Sequence, residues 1–216
     1  MTASIAMIPS PRLQPGLGLG CETRLLLREF THRVNNDFTS AISVVSLAAA
    51  RSRSDEVKAA LSAVQDRLLS YASVHRALQM PEHSTLVEAA SYLRQLCRAI
   101  SCSKLECRGI RLVLAVQQLR MDSDACWRLG MIVSELVTNA ARHAFGADGG
   151  EIRVELKSSS NFVECCVADD GTASAQISPA HGLKIVEALV DGLGGRIERR
   201  HSSKGTTWAL TFPIGL

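Results

Sequence analysis

Rings are scarce in this chain. Aromatic residues make up 4% of its 216 positions: two Trp, two Tyr and five Phe. Proteins that stack nucleic-acid bases on aromatic platforms need more of them. A charge excess is missing too. The 24 Lys and Arg stand against 21 Asp and Glu, for a formal net charge of +3. That balance argues against a nucleic-acid-binding tail, and 46% hydrophobic residues beside 21% charged ones exclude general disorder. No window approaches the roughly 18 consecutive apolar residues of a membrane span. The first 20 residues carry no basic side chain before Arg12 and only a short, broken apolar stretch, which does not suit a secretory leader. The expected location is therefore cytoplasmic. Finally, no Cys-x-x-Cys pair exists. The seven cysteines (Cys21, Cys97, Cys102, Cys107, Cys126, Cys165 and Cys166) are odd in number, and three recur every five residues, which matches no common zinc spacing. Reduced thiols acting as small core residues are expected.

What is present is enough to build a core, in one domain or two small ones, from Leu, Val, Ile and Ala. Residues 1–21, with Pro9, Pro11 and Pro15 followed by Gly16, Gly18 and Gly20, read as a flexible leader. Residues 22–82 read as a helical hairpin. Leu27, Phe30, Val34, Phe38, Ala41, Val45 and Ala48 recur at spacings of three and four, one apolar seam on a helix. Val57, Leu61, Val64, Leu68, Tyr71, His75 and Leu78 repeat the pattern after a short polar join at residues 51–55, and Pro81 closes the second helix. A lone hairpin cannot hide two seams, so a dimeric four-helix bundle is expected. Residues 83–216 change character. A third helix is predicted over 84–100, with Thr85 and Glu88 as a capping box. Then come a strand at 111–116, a long helix at 122–144, strands at 151–157 and 162–168, a helix at 182–193, and strands at 196–201 and 206–212. The expected class is α+β: a helical hairpin, then an α/β sandwich with a mixed, mostly antiparallel sheet.

Five clusters could carry chemistry. His32 lies about 160–200° around the helix from its neighbouring seam residues, facing solvent, with Glu29 at i−3 and Asn36 at i+4 on its face. An exposed imidazole beside a carboxylate and an amide can serve as a nucleophile, although most surface histidines are merely solvated. Glu135, Asn139, Arg142 and His143 form one polar stripe on an otherwise apolar helix. Its amide oxygen could reach Mg²⁺ and its bases could face phosphates, or the stripe could simply be solvated. Asp169-Asp170-Gly171 ends an apolar strand, where an Asp can meet an exocyclic amine or just make a turn. Gly182 opens a helix, a place for phosphate to meet backbone N–H groups. Gly205-Thr206 enters a strand and alone signals only a hairpin.

The order of the five is more specific than any one of them. From about residue 25 to residue 213 the chain resembles a sensor histidine kinase catalytic core. It is most similar to the subclass with a His-Arg-Val-Lys-Asn phosphoacceptor box, related to the HWE group. Residues 28–36 (Arg-Glu-Phe-Thr-His-Arg-Val-Asn-Asn) resemble that box, and residues 73–78 the end of its second dimerisation helix. Residues 134–144 resemble the N box, 168–171 the first glycine box, 182–186 the second, and 204–207 the last. The resemblance implies a dimeric bundle followed by a Bergerat-type ATP-binding sandwich. It implies ATP and Mg²⁺ as cofactors, with Asn139 holding the metal and Glu135 beside it. Arg142, His143, Asp169, Gly171, Gly182, Gly205 and Thr206 would bind the nucleotide, Asp169 at the adenine. His32, flanked by Glu29 and Asn36, would take the γ-phosphoryl group and pass it to an aspartate of a response-regulator receiver domain. His75 would be a packed residue and no ligand.

The chain also departs from the pattern. Asn35 stands where the subclass has Lys, and Asp37 where Asn is usual. The first glycine box ends Gly171-Thr172-Ala173, without its second glycine, and Ala180-His181 precede Gly182 in the second. The lid between Asp169 and Gly182 is short. Two function classes follow: an ATP-dependent histidine autokinase, favoured by intact metal and adenine anchors, or a phosphotransfer or docking protein with a degenerate nucleotide domain. In either case the signal is expected from an upstream sensor protein, because leader, hairpin and sandwich fill the length.

Overall fold

The computed structural model describes residues 21–79, 86–172 and 181–214. The first 20 residues of the expected leader, Thr85, Pro81 and most of the lid lie outside them. Two helices open the chain, α1 (Cys21–Arg51) and α2 (Asp55–Ala77). Ser54 starts α2: its Oγ accepts from the Val57 amide at 3.4 Å, and Asp55 and Glu56 complement the helix dipole. The two helices pack on each other as an antiparallel hairpin.

The seams divide. Val34, Phe38, Ala41 and Val45 of α1 are half-buried, as are Leu61, Leu68 and His75 of α2. Phe30, Val57, Val64 and Tyr71, expected on the same seams, are exposed, and Leu26, Val44, Leu47 and Leu69 join them. A spacing of three and four records that positions are apolar, not which neighbour each one meets. Leu61, Leu68 and His75 turn toward α1, while Val57, Val64 and Tyr71, also seven apart, form a second stripe facing out.

Only the end of α2 is fully buried. Val74 and Ala77 belong to the same apolar cluster as the following unit, and Trp127 Nε1 donates to the Leu78 carbonyl at 2.9 Å. That unit begins differently from the expectation. Residues 86–88 form a short strand, β1 (Leu86–Glu88), and α3 spans only Ala89–Ile100. Glu88 is itself the N-cap and not the third residue of a capping box: its carboxylate accepts from the amides of Ala90 (3.1 Å) and Ser91 (2.6 Å). A π turn (Ser101–Leu105) and a 3₁₀ turn (Glu106–Arg108) lead on to β2 (Ile110–Val116), β3 (Arg120–Asp122) and α4 (Ser123–His143). Then follow β4 (Gly150–Ser158), β5 (Phe162–Asp169), α5 (His181–Gly192), β6 (Arg196–Ser202) and β7 (Gly205–Pro213).

The main sheet runs β2-β4-β5-β7-β6, with β2 and β4 parallel and the other pairs antiparallel; β1 and β3 form a separate pair. This is the mixed, mostly antiparallel sheet expected. Its alternating pattern puts Ile152, Val154, Leu156, Val163, Cys165, Val167, Leu210 and Phe212 on one face. They pack under Leu93, Leu96, Leu129, Ile132, Val133, Val137, Val186 and Val190 of the three helices, all buried. The other face carries ion pairs: Arg153 to Glu151 and Lys157 to Glu155, both at 2.7 Å, and Arg111 to Glu151. Cys97 and Cys126 are small core residues, with burial pushing both thiols up to about 12. Cys102 and Cys107 are not: the π and 3₁₀ turns leave both exposed. Among the described residues no helix is long and apolar enough to cross a membrane.

Candidate functional site

The site is built at one end of the sheet, where β5 stops and β7 starts. The antiparallel register sets Ala168 opposite Thr207, so Asp169 lies beside Thr206. Asp169 Oδ1 accepts from the Thr206 amide at 3.3 Å and from the Gly171 amide at 3.2 Å. Both bonds fall on one carboxylate oxygen. Burial raises the pKa of Asp169 above the ordinary carboxylate value; the two amide donors oppose that shift, Asp170 adds to it and His201 opposes it. Gly205 stands at φ +119°, and a Cβ there would come within 1.8 Å of the Asp169 carbonyl oxygen. Only glycine allows β7 to begin so close to β5. Gly171 is equally close-set: a Cβ would lie 2.1 Å from the carbonyl oxygen of Ala144, just past the end of α4. The strand end is thereby docked on the helix that carries the polar stripe.

On that stripe Glu135 and Asn139 are half-buried and face the start of α5. A Cβ on Gly182 would sit 2.8 Å from Glu135 Oε2 and 3.8 Å from Asn139 Nδ2. Glu135, Asn139 and Gly182 therefore meet, as do Asp169, Gly171, Gly205 and Thr206, and α4 joins the two groups. Arg142 and His143 lie exposed in the last turn of α4. A carboxylate and a primary amide on one helix face are hard-oxygen donors, and their chemistry fits a divalent cation such as Mg²⁺.

The hairpin residues stand elsewhere. His32, Glu29 and Asn36 are exposed on α1, whose main packing partner is α2. Glu29 Oε1 accepts from Arg33 Nε at 3.0 Å, so its carboxylate is shared with the residue after His32. Asn35, the departure from the phosphoacceptor pattern, faces inward, and its Oδ1 is buried without a hydrogen-bond partner among the described residues. His75 packs its ring 6.1 Å from that of Phe38, as a packed residue would.

One polar neighbour of the site went unnoticed in the sequence. His201 Nδ1 lies 3.1 Å from Thr206 Oγ1, because the two residues pair directly across the β6–β7 turn. The signal was available: a four-residue turn, 202–205, separates two strand residues that must then face each other.

The motif order agrees with the family that the comparisons show. A family profile described as histidine kinase matches residues 29–104, and one described as histidine kinase-like ATPase domain matches residues 82–212. The chain belongs to the histidine kinase family. The sensor histidine kinase PdtaS of Mycobacterium tuberculosis is 31% identical over 200 residues, which cover 88% of this chain and 39% of that protein. This histidine kinase-family chain thus spans about two fifths of the length of PdtaS. The histidine kinase domain of the Erythrobacter litoralis EL346 blue-light activated histidine kinase aligns with a TM-score of 0.58 at 20% identity, over 82% of this chain and 96% of that one. A bacterial phosphotransferase aligns with a TM-score of 0.59 at 10% identity, over 90% and 98%. At these identities the two solved structures show a shared fold.

Proposed function

We propose that this chain is an ATP-dependent protein-histidine kinase of a two-component system, phosphorylated on His32 and passing the phosphoryl group to an aspartate of a response-regulator receiver domain. The supporting observation is the meeting of Asp169, Gly171, Gly205 and Thr206 with Glu135, Asn139 and Gly182 around α4, on a chain that also carries an exposed helical histidine. In this proposal the half-buried Asp169 carboxylate takes the exocyclic amine of adenine. Gly171 and Gly182 let backbone approach the nucleotide, and the first turn of α5 offers amides to phosphate. Arg142 and His143 extend the basic rim. Glu135 and Asn139 would hold Mg²⁺, which when bound neutralises charge on the phosphates. An imidazole nitrogen of His32 attacks the γ-phosphorus in line, forming the P–N bond as the P–O bond to ADP breaks. Positioning and charge stabilisation do most of the work in such transfers.

The outward stripe of Val57, Val64 and Tyr71 is assigned to a second copy of the chain, which would complete a four-helix bundle. A specific observation supports the phosphotransfer alternative: the first glycine box reads Gly171-Thr172-Ala173, and its missing glycine weakens the case for a lid that closes on triphosphate. One experiment separates the two. With radiolabelled ATP and Mg²⁺ the chain should label itself, and His32→Ala should reduce the label to background. A wild type that neither labels nor binds nucleotide by calorimetry sinks the kinase proposal. Labelling of His32 by a phosphorylated receiver domain, without labelling by ATP, establishes the alternative.

A further inference from the structure

The contact between His201 and Thr206 joins two residues that pair across the β6–β7 turn. The β6–β7 turn is already held by the ladder and by Ser202 Oγ, which accepts from the Lys204 amide at 3.1 Å. Thr206 is buried, and its own amide is one of the two donors on Asp169. Its hydroxyl therefore belongs to the residue whose backbone holds the Asp169 carboxylate, next to where the nucleotide proposal puts the base. A hydroxyl has one proton and two acceptor lobes, and by itself Thr206 does not decide where the proton points. His201 Nδ1, 3.1 Å away, decides it. If Nδ1 carries no proton, the Thr206 hydroxyl donates to it and turns lone pairs toward the pocket. If Nδ1 carries the proton, the hydroxyl accepts from it and keeps its own proton for the pocket. In each case Thr206 presents one polarity.

We infer that His201 is a positioning residue for base selection, fixing through Thr206 Oγ1 the hydrogen-bond polarity that the pocket offers to the edge of a purine. This rests on the proposal that Asp169 and Thr206 line a nucleotide site. A purine with an amino group at position 6 and one with an oxo group demand opposite polarities there, so a fixed hydroxyl separates them and a rotating one does not.

The test is calorimetric titration of the whole chain with ATP and with GTP. His201→Leu should weaken ATP about three- to tenfold, the range of one lost hydrogen bond, and bring the ATP-to-GTP ratio toward one. His201→Asn, which can keep a polar atom near the Nδ1 position, should retain the wild-type ratio. In a Thr206→Val background His201→Leu should add less than about twofold, because the two residues act as one unit. Should His201→Leu fail to fold, His201→Gln, whose amide lies farther out than Nδ1, takes its place. An unchanged ratio in the Leu and Gln variants, or an equal loss with and without Thr206, overturns the role of His201 while leaving the pocket intact. A wild type that binds neither nucleotide overturns the pocket and this inference together.

Discussion

The hairpin and the sandwich are stabilised in opposite ways. Around its sheet the chain closes a complete core: Leu93, Leu96, Ile132, Ile152 and Val154 have no exposed surface at all. Along the 31 residues of α1 not one described side chain is fully buried, and α2 is buried only at Ala72, Val74 and Ala77, where it approaches the sandwich. The remaining hairpin shows large apolar side chains to solvent, with Phe30 and Leu26 63% exposed and Val44 65%. It also holds two buried polar atoms, Asn35 Oδ1 and His75 Nδ1, without partners among the described residues. The sandwich holds such an atom too, Tyr92 Oη, so the contrast between the units lies in their apolar exposure. The lesson is that the nucleotide cluster rests on a closed core, to which the end of α2 contributes, while His32 stands on a hairpin with an uncovered outward face.

The largest test of that contrast attacks the uncovered face. Val64→Glu puts a carboxylate on the outward stripe of α2, and twofold symmetry would place two of them in one interface. The dissociation constant of the dimer should rise at least about a hundredfold, read by sedimentation, while the sandwich melts as before. Trp208 lies in the sheet while Trp127 bonds the end of α2, so in a Trp127→Phe background the remaining fluorescence reports the sandwich separately. A wild type that is monomeric at high concentration, or a variant as dimeric as wild type, would show that the stripe has another purpose. The next test attacks the closed platform. Gly205→Ala forces a Cβ to within 1.8 Å of the Asp169 carbonyl oxygen at φ +119°. A loss of about 2–4 kcal/mol is expected in the sandwich transition seen by tryptophan fluorescence. An unchanged transition would mean that β7 does not need so close an approach to β5.

Periodicity made the long elements legible. The hairpin, α4 and the five strands of the main sheet stand close to where spacing puts them: most carry a regular apolar repeat, and β6, exposed along nearly all its length, is marked by the turn that joins it to β7. The short elements were not. β1 and β3 have three residues each, too few for any repeat, and their pairing depends on Leu86 meeting Asp122 across a long stretch of sequence. Glu88 is the cap itself and not a cap's partner, a distinction the sequence does not make because carboxylates suit both positions. In the site, Asp169, Gly171 and Thr206 were legible from motif order. Their shared hydrogen bonds were not, because these depend on β5 and β7 lying in one particular register. His201 escaped for the same reason: its role exists only across a turn. The split of the α2 seam needed the position of α1, which no pattern within α2 contains.

The smallest effect should come from pH, with opposite signs in the two units. His75 is half-buried beside Phe38, and burial lowers its pKa. The unfolded chain takes up a proton near the ordinary histidine value of about 6.5, while the folded hairpin resists until lower pH. The stability held by neutral His75 is therefore present above about 6.5 and is lost as pH falls through the folded value. Asp169 runs the other way. Burial raises its pKa, so its contribution favours the folded sandwich below the ordinary value of about 3.9 and is lost as pH rises through the raised one. Lowering the pH from about 7.5 to about 5.5 crosses the histidine window, and over the same interval Asp169 does nothing to weaken the sandwich. Urea unfolding at the two pH values should show a small drop in the midpoint followed by far-UV circular dichroism, which the hairpin helices dominate. The tryptophan midpoint should not drop with it. His75→Phe should fill the space beside Phe38 and remove the hairpin's dependence. If that variant keeps the full drop, another group drives the hairpin's response to acid, and His75 is simply a packed ring.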